Sequence, residues 1–403
     1  MSARPLAGLK VLEFTHTVMG PAAGLILAEM GADVVKVEAA PDGDHTRRLG
    51  GFGAGFYAAF NRGKRSLTID LKTPEGQAAI QRLVRHTDIV LENFGPGTME
   101  RLRCGYEHLA PCNDRLIYLA LKGYLAGPYE NRPALDEVVQ FQTGLAWMTG
   151  PVGQPLRAGA SVIDIMGAMF GVIAVQAALR ERETTGRGQR VGSALFESAA
   201  FLMSTHMAGM AATGLEARPM PARRGAWAVY EVFRTSGDGQ LFIGVTTDRQ
   251  WTRFVEEFGL HDLAADPRLA TNETRLLERA WLIPALQEIL AKIPQAEVAD
   301  KCQRANVSWA PVGQPKDLFD DPHLLATGGL VDVFISRFGG GDGKFARLPA
   351  LPVEFGADRQ RPGVTRQPPK IGEHNAEILA EAGYTRDEIA ALASRNIIVG
   401  ETV

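Results

Sequence analysis

Cysteine is scarce in this chain: Cys104, Cys112 and Cys302 are the three among 403 residues. Three thiols are too few for a disulfide framework, and they lack the paired spacing of a zinc site. No other grouping of ligand residues suggests a metal. Basic charge is not in excess, since the formal net charge is -3, so the electrostatic footprint of a nucleic-acid binder is absent. The opening MSARPLAGLK has no apolar stretch of the kind a secretory signal needs, and a cytoplasmic location is expected. After the first strand the sequence reads THTVMGPAAG rather than G-x-G-x-x-G, so NAD binding is not expected. Long apolar runs are also few. One, within residues 157–180, nearly matches a membrane span in length. Its Gly and Ala content and the lack of a second such run favour a buried helix in a soluble core. There is no internal repeat and no low-complexity tract.

What is present is the composition of a globular protein, 45% hydrophobic and 22% charged, long enough for two domains. KVLEF (10–14), a helix over 21–30 and DVVKVE (33–38) make a β-α-β unit. Further strands are expected at 66–71, in DIVLENFGPG (88–97) and at 116–121, with a helix over 74–86 between the first two. The pattern is α/β with a doubly wound sheet. In such sheets ligands bind beyond the carboxyl ends of the strands, which selects Thr15, His16 and Thr17 from one loop, Asn93 and Phe94 from another, and Lys122 after a third. A glycine-rich approach leads to Arg62, Lys64 and Arg65, a basic loop that suits either a solvated surface or a phosphate-bearing ligand. From 218 the composition changes: RPMPARRGAW reads as a linker, 228–245 as a hairpin about 236–239, and helices follow. SWAPVGQP (308–315) reads as another break. The tail from Gly372 is an amphipathic helix pair.

Asp164 is the one ionisable group inside the long apolar run. Ser161 and Asp164 have capping-box spacing. The same geometry also suits a carboxylate kept ionised at the positive end of a helix dipole, beside apolar surface. Gly167 and Gly171 leave a groove along that helix for the close approach of a ligand.

Taken in order, FTHTVMGP, GADVVKVE, NRGKRS, LENFGPG, SVIDIMG, TGRGQ, WAPV and IGEHN resemble the motif series of class III CoA-transferases, the family of formyl-CoA:oxalate and carnitine CoA-transferases. The resemblance runs over residues 6–397. It implies a Rossmann-like large domain formed by both termini (1–217 and 331–403), a smaller α+β middle domain with its linker (218–330), and an interlocked homodimer. It implies that Asp164 is the catalytic aspartate. Attack on an acyl-CoA thioester gives an aspartyl-acyl anhydride, then an aspartyl-CoA thioester, from which the acceptor acid takes CoA. No prosthetic group or metal is implied, coenzyme A being substrate and product. By the same resemblance His16, Asn93 and Phe94 lie along CoA, and Lys64 and Arg65 face its phosphates.

Two departures narrow the substrate. Ala39 stands where formyl-CoA transferase carries an arginine near adenine, and PARRGAWAVYEVF has no glycine run to close over the aspartate, so oxalate and formate are not expected. Racemases of the same fold place a histidine before an aspartate where this chain has Leu135 and Asp136, which removes one of their two acid-base groups. A non-catalytic CoA-binding protein is the other alternative, and Asp164 argues against it. His45, Arg47, Arg48, Lys122 and Arg157 could hold a second carboxylate, which points to a small dicarboxylate such as succinate or mesaconate.

Overall fold

The structure, a computed structural model, describes residues 4–223, 225–336 and 343–401. The chain divides into two compact units, Met1–Pro221 with Asp321–Val403, and Ala222–Asp320. The sequence suggested changes at 217/218 and 330/331. The second falls ten residues earlier, so the short helix Pro322–Ala326 belongs with the larger unit.

The larger unit is built on six parallel strands: β1 (Lys10–Phe14), β2 (Asp33–Ala39), β3 (Arg65–Ile69), β4 (Ile89–Glu92), β5 (Ile117–Lys122) and β6 (Arg190–Ala194), in the spatial order β3-β2-β1-β4-β5-β6. The central strands are largely apolar on both faces because both are covered. Val11 of β1 points into a core shared with Ala23 and Leu27 of α1 (Met19–Glu29) and with Ile163 and Val172 further along the chain. Its neighbour Leu12 points to the opposite core, with Ile80, Val84, Ile378 and Leu392. The chain order reverses between β1 and β4. Their carboxyl ends therefore flank the crevice where open parallel sheets hold ligands.

The C-terminal segment closes the β3 edge. Ile398 bridges Ile69 in antiparallel sense, and Asn375 of the IGEHN motif accepts from the Thr68 N–H at 2.9 Å and donates to the Val399 carbonyl at 3.0 Å. The helix pair expected in the tail is Asn375–Glu381 and Arg386–Ser394.

The long apolar run forms α3 (Val162–Thr185), after α2 (Asp136–Gln142). By length and composition α3 could cross a membrane, but Ile163, Ala168, Val172, Val175 and Ala178 are packed in the core. The expectation of burial on every face is corrected. Ile165, Met169 and Ile173, at four-residue spacing, form an exposed apolar stripe. The expected groove is filled as well. A Cβ on Gly167 would lie 2.4 Å from the Met19 methyl, and one on Gly171 would lie 2.7 Å from a Leu121 methyl. These glycines let α3 approach α1 and β5 closely.

In the smaller unit β7 (Val229–Arg234) and β8 (Gln240–Val245) form the expected hairpin. SWAP, expected as a break, is a third strand, β9 (Ser308–Pro311), antiparallel to β8. It forms because pairing satisfies its backbone: Pro311 at the strand end has no N–H to donate, and Val312 after it donates to the Gln240 carbonyl at 3.1 Å. Helices Asp248–Glu257, Arg279–Leu290 and Gln295–Arg304 pack on Phe233, Leu241 and Ile243 through Trp251, Phe254, Leu286 and Val298.

Candidate active site

The loop after β1 is clamped to the loop after β4. The His16 N–H donates to Asn93 Oδ1 at 3.0 Å, and Asn93 Nδ2 donates back to the His16 carbonyl at 2.9 Å. Thr17 follows with φ 67°, a conformation that a β-branched residue holds only under restraint. Its N–H donates to Thr46 Oγ1 at 3.0 Å, and its hydroxyl lies 2.7 Å from His16 Nδ1. The His16 ring stands 5.2 Å from that of Phe94 and 5.1 Å from that of His45. Burial first, then the neighbouring His45, pulls the His16 pKa down to about 4. His16 therefore offers a neutral ring, not a cation. His16, Asn93 and Phe94 are brought together as expected, and His45, with its side chain 57% exposed, joins them.

Beneath this loop lies a charge network. Lys36, fully buried on β2, donates to the Thr15 carbonyl at 2.8 Å and reaches Asp44 at 2.9 Å. Burial opposes its charge, but Asp44 and Glu13 outweigh it and the Lys36 pKa is raised. Lys64 belongs to the same network, which corrects its expected role. It is wholly buried, 2.7 Å from Glu13 and 3.0 Å from the Pro21 carbonyl. Burial lowers its pKa to about 8. A buried, paired ammonium cannot offer its charge to a phosphate.

Arg65 is corrected for a different reason. It opens β3, opposite Val35, at the amino ends of the strands. There it donates to Asp33 at 3.0 Å and to Glu381 at 2.9 Å. It stands at the end of the sheet away from His16. Arg47 is likewise spent, donating to Glu38 at 2.8 Å and to the Pro369 carbonyl at 2.9 Å. Arg48 donates to the Asp42 carbonyl. Lys122 lies 2.6 Å from buried Glu92 and 2.8 Å from the Phe94 carbonyl. It braces the loop that carries Asn93 and Phe94 instead of facing a ligand.

Asp164 sits in the first turn of α3, half-buried. Three residues beyond it, Gly167 meets Met19, which lies three residues beyond His16. The two segments are thus neighbours. The expected capping box is absent, because the Ser161 side chain makes no cap bond. The cap comes from Asp136, which sequence reasoning noticed only as the place of a missing racemase pair. Its Oδ2 accepts from the N–H of Ile163 at 2.8 Å and of Asp164 at 3.0 Å. Arg157 lies beside both, 2.8 Å from Glu137 and 3.7 Å from Asp136. Burial first, then the Asp136 charge, pushes the Asp164 carboxyl up to about 7, with Arg157 acting in the opposite sense. Such a group is a basic carboxylate poised to gain or lose charge at neutral pH, the character of a reactive acid or nucleophile.

A parallel sheet with this rim, and a basic carboxylate beside it, makes a candidate active site on an α/β fold. The model of CoA-transferase family III matches residues 6–375, and the chain belongs to that family. It is 35% identical over 396 residues to succinate–glutarate CoA-transferase of Agrobacterium fabrum, covering 94% of this chain and 95% of that one. To succinyl-CoA:mesaconate CoA-transferase of Haloarcula hispanica it is 34% identical over 397 residues, covering 94% and 96%. Among solved structures, a CAIB/BAIF family protein from Brucella suis superposes with a TM-score of 0.82 at 33% identity, covering 95% of this chain and 100% of that one.

Proposed function

We propose that this class III CoA-transferase moves CoA from an acyl-CoA to a small dicarboxylic acid, with Asp164 as the nucleophile. One observation carries the reading: a half-buried carboxylate, raised to about 7, lies in the first turn of α3 next to the His16 rim. An Asp164 oxygen attacks the thioester carbonyl, the C–S bond breaks, and CoA leaves as thiolate. The thiolate then attacks the Asp164 carbonyl of the anhydride, giving an aspartyl-CoA thioester and releasing the donor acid. The acceptor carboxylate enters by the reverse steps. CoA runs along His16, Asn93 and Phe94.

The relatives named for succinyl-CoA and glutarate or mesaconate support a dicarboxylate. With Arg47, Lys122 and Arg157 engaged by Glu38, Glu92 and Glu137, the exposed His45 is the candidate to hold its distal carboxylate. A racemase reading is weaker. Leu135 supplies no proton, and Asp136 already spends one oxygen on the α3 cap.

The larger unit is Rossmann-like in this reading, the protein is cytoplasmic, and two chains interlock. The exposed stripe Ile165, Met169 and Ile173, with Phe201 and Met207, supports burial against a second copy, since apolar patches of this kind mark interfaces. The test is CoA exchange between a panel of acyl-CoAs and free acids. Wild type should prefer dicarboxylates, and Asp164→Ala should be inactive with its fold intact.

A further inference from the structure

We propose that Asp136 is a positioning residue for the transfer reaction: it fixes the first turn of α3 and holds a negative charge beside Asp164 that makes the Asp164 carboxylate a stronger nucleophile. The inference rests on Asp164 being the nucleophile. A free helix N-terminus presents unpaired N–H groups and the positive end of the helix dipole, which would stabilise a nearby carboxylate and make it less reactive. Here two of those donors, from Ile163 and Asp164 itself, are taken by Asp136 Oδ2 at 2.8 and 3.0 Å. The stabilising groups are consumed by a second anion.

Asp136 is only 6% exposed and is rigidly held. Its other oxygen accepts from Gln140 Nε2. Gln140 in turn accepts from the Ala158 N–H at 2.9 Å, which ties α2 to the segment leading into α3. Arg157, from that segment, offsets part of the negative charge through Glu137 and Asp136. Charged groups on the other elements packed against α3 are engaged elsewhere. Glu29 in the last turn of α1 pairs with Arg62, Lys122 of β5 pairs with Glu92, and Glu197 of the helix Leu195–Leu202 accepts from the Leu125 N–H. Arg190 opens β6 at its far, amino end. Burial raises the basicity of Asp164 most, and of the charges that act on it Asp136 raises it further while Arg157 lowers it.

The consequence is chemical. When an Asp164 oxygen bonds to the thioester carbon, negative charge leaves Asp164 and arrives on the CoA sulfur as the C–S bond breaks. Repulsion from Asp136 is present before attack and relieved as the anhydride forms, so it acts on the barrier rather than on substrate binding.

Asp136→Asn removes the charge and keeps the cap, because the amide oxygen still accepts both N–H groups, while the amide nitrogen gives up the bond from Gln140. The assay is rapid-quench mass spectrometry of the Asp164 peptide after mixing with succinyl-CoA, from pH 5 to 9, following the CoA adduct. Wild type should form adduct with a half-maximal rate near pH 7. In Asp136→Asn the acid limb should move down by roughly one pH unit, with a several-fold slower plateau. Arg157→Gln should move the limb up. Limbs of Asp136→Asn and wild type that superimpose, with adduct still on Asp164, would overturn the proposal. If Asp136→Asn does not fold, Asp136→Ser, which keeps a hydroxyl acceptor without the charge, takes its place, and an unmoved limb there overturns the proposal equally. A wild-type enzyme with no adduct on Asp164 would instead refute the nucleophile assignment.

Discussion

Asp164→Asn is expected to stabilise the fold at alkaline pH while abolishing transfer. The carboxyl rises from its ordinary 3.8 to about 7, which at ~1.4 kcal/mol per pH unit is a penalty on the ionised form of about 4 kcal/mol. Asp164 retains solvent contact, and screening brings the expected value down to about 2 kcal/mol. Below 3.8 both folded and unfolded chains carry a protonated Asp164. Between 3.8 and 7 the unfolded chain ionises first, so stability falls as pH rises, and above 7 the full penalty is present. Asparagine never ionises. Chemical unfolding of wild type and Asp164→Asn at pH 4 and pH 8 should therefore show little difference at the lower pH. At pH 8 the variant should gain about 2 kcal/mol. A variant less stable than wild type at pH 8, or a difference independent of pH, would refute the account of a strained nucleophile.

Lys122→Met should leave buried Glu92 unpaired, destabilise the larger unit by about 3 kcal/mol and raise KM for CoA through the freed Asn93–Phe94 loop. Urea unfolding and steady-state kinetics check both effects. His45→Ala should raise KM for the acceptor dicarboxylate by a factor equivalent to roughly 2 kcal/mol, with KM for a donor that lacks a second carboxylate, such as acetyl-CoA, little changed. Met169→Glu combined with Ile173→Glu places two charges on the exposed stripe of α3 and should shift sedimentation from dimer to monomer. A wild-type monomer would remove the interlocked arrangement.

Much of the sheet was legible because parallel strands are short apolar runs between turn signals. β1 and β2 lie within a residue of where KVLEF and DVVKVE suggested. The rim was legible too, since the carboxyl ends of β1 and β4 carry His16, Asn93 and Phe94 in polar, turn-forming sequence. Charge was read less well, because sequence says which residues are basic but not which are already paired. Lys64, Arg65, Arg47 and Lys122 looked like ligand donors, yet each has a carboxylate partner distant in sequence or on another strand. A signal existed in Glu13, Lys36 and Glu38, charged residues inside otherwise apolar strands, which must find partners in the interior. The cap on α3 was missed because Ser161 has the local pattern, whereas the group that does the capping, Asp136, arrives from 27 residues away.

If Asp164 is the nucleophile, an oxygen passes through it during every transfer. In the proposed sequence the acceptor carboxylate bonds to the Asp164 carbonyl through one of its own oxygens, and that oxygen stays on Asp164 when CoA thiolate takes the acyl group. Turnover of succinyl-CoA with an acceptor acid labelled with ¹⁸O in both carboxylate oxygens should therefore place ¹⁸O in the Asp164 side chain, read as a mass increase of the peptide containing it. The label should be absent without CoA donor. An Asp164 peptide of unchanged mass after many turnovers, or label on a different acidic residue, would contradict the account.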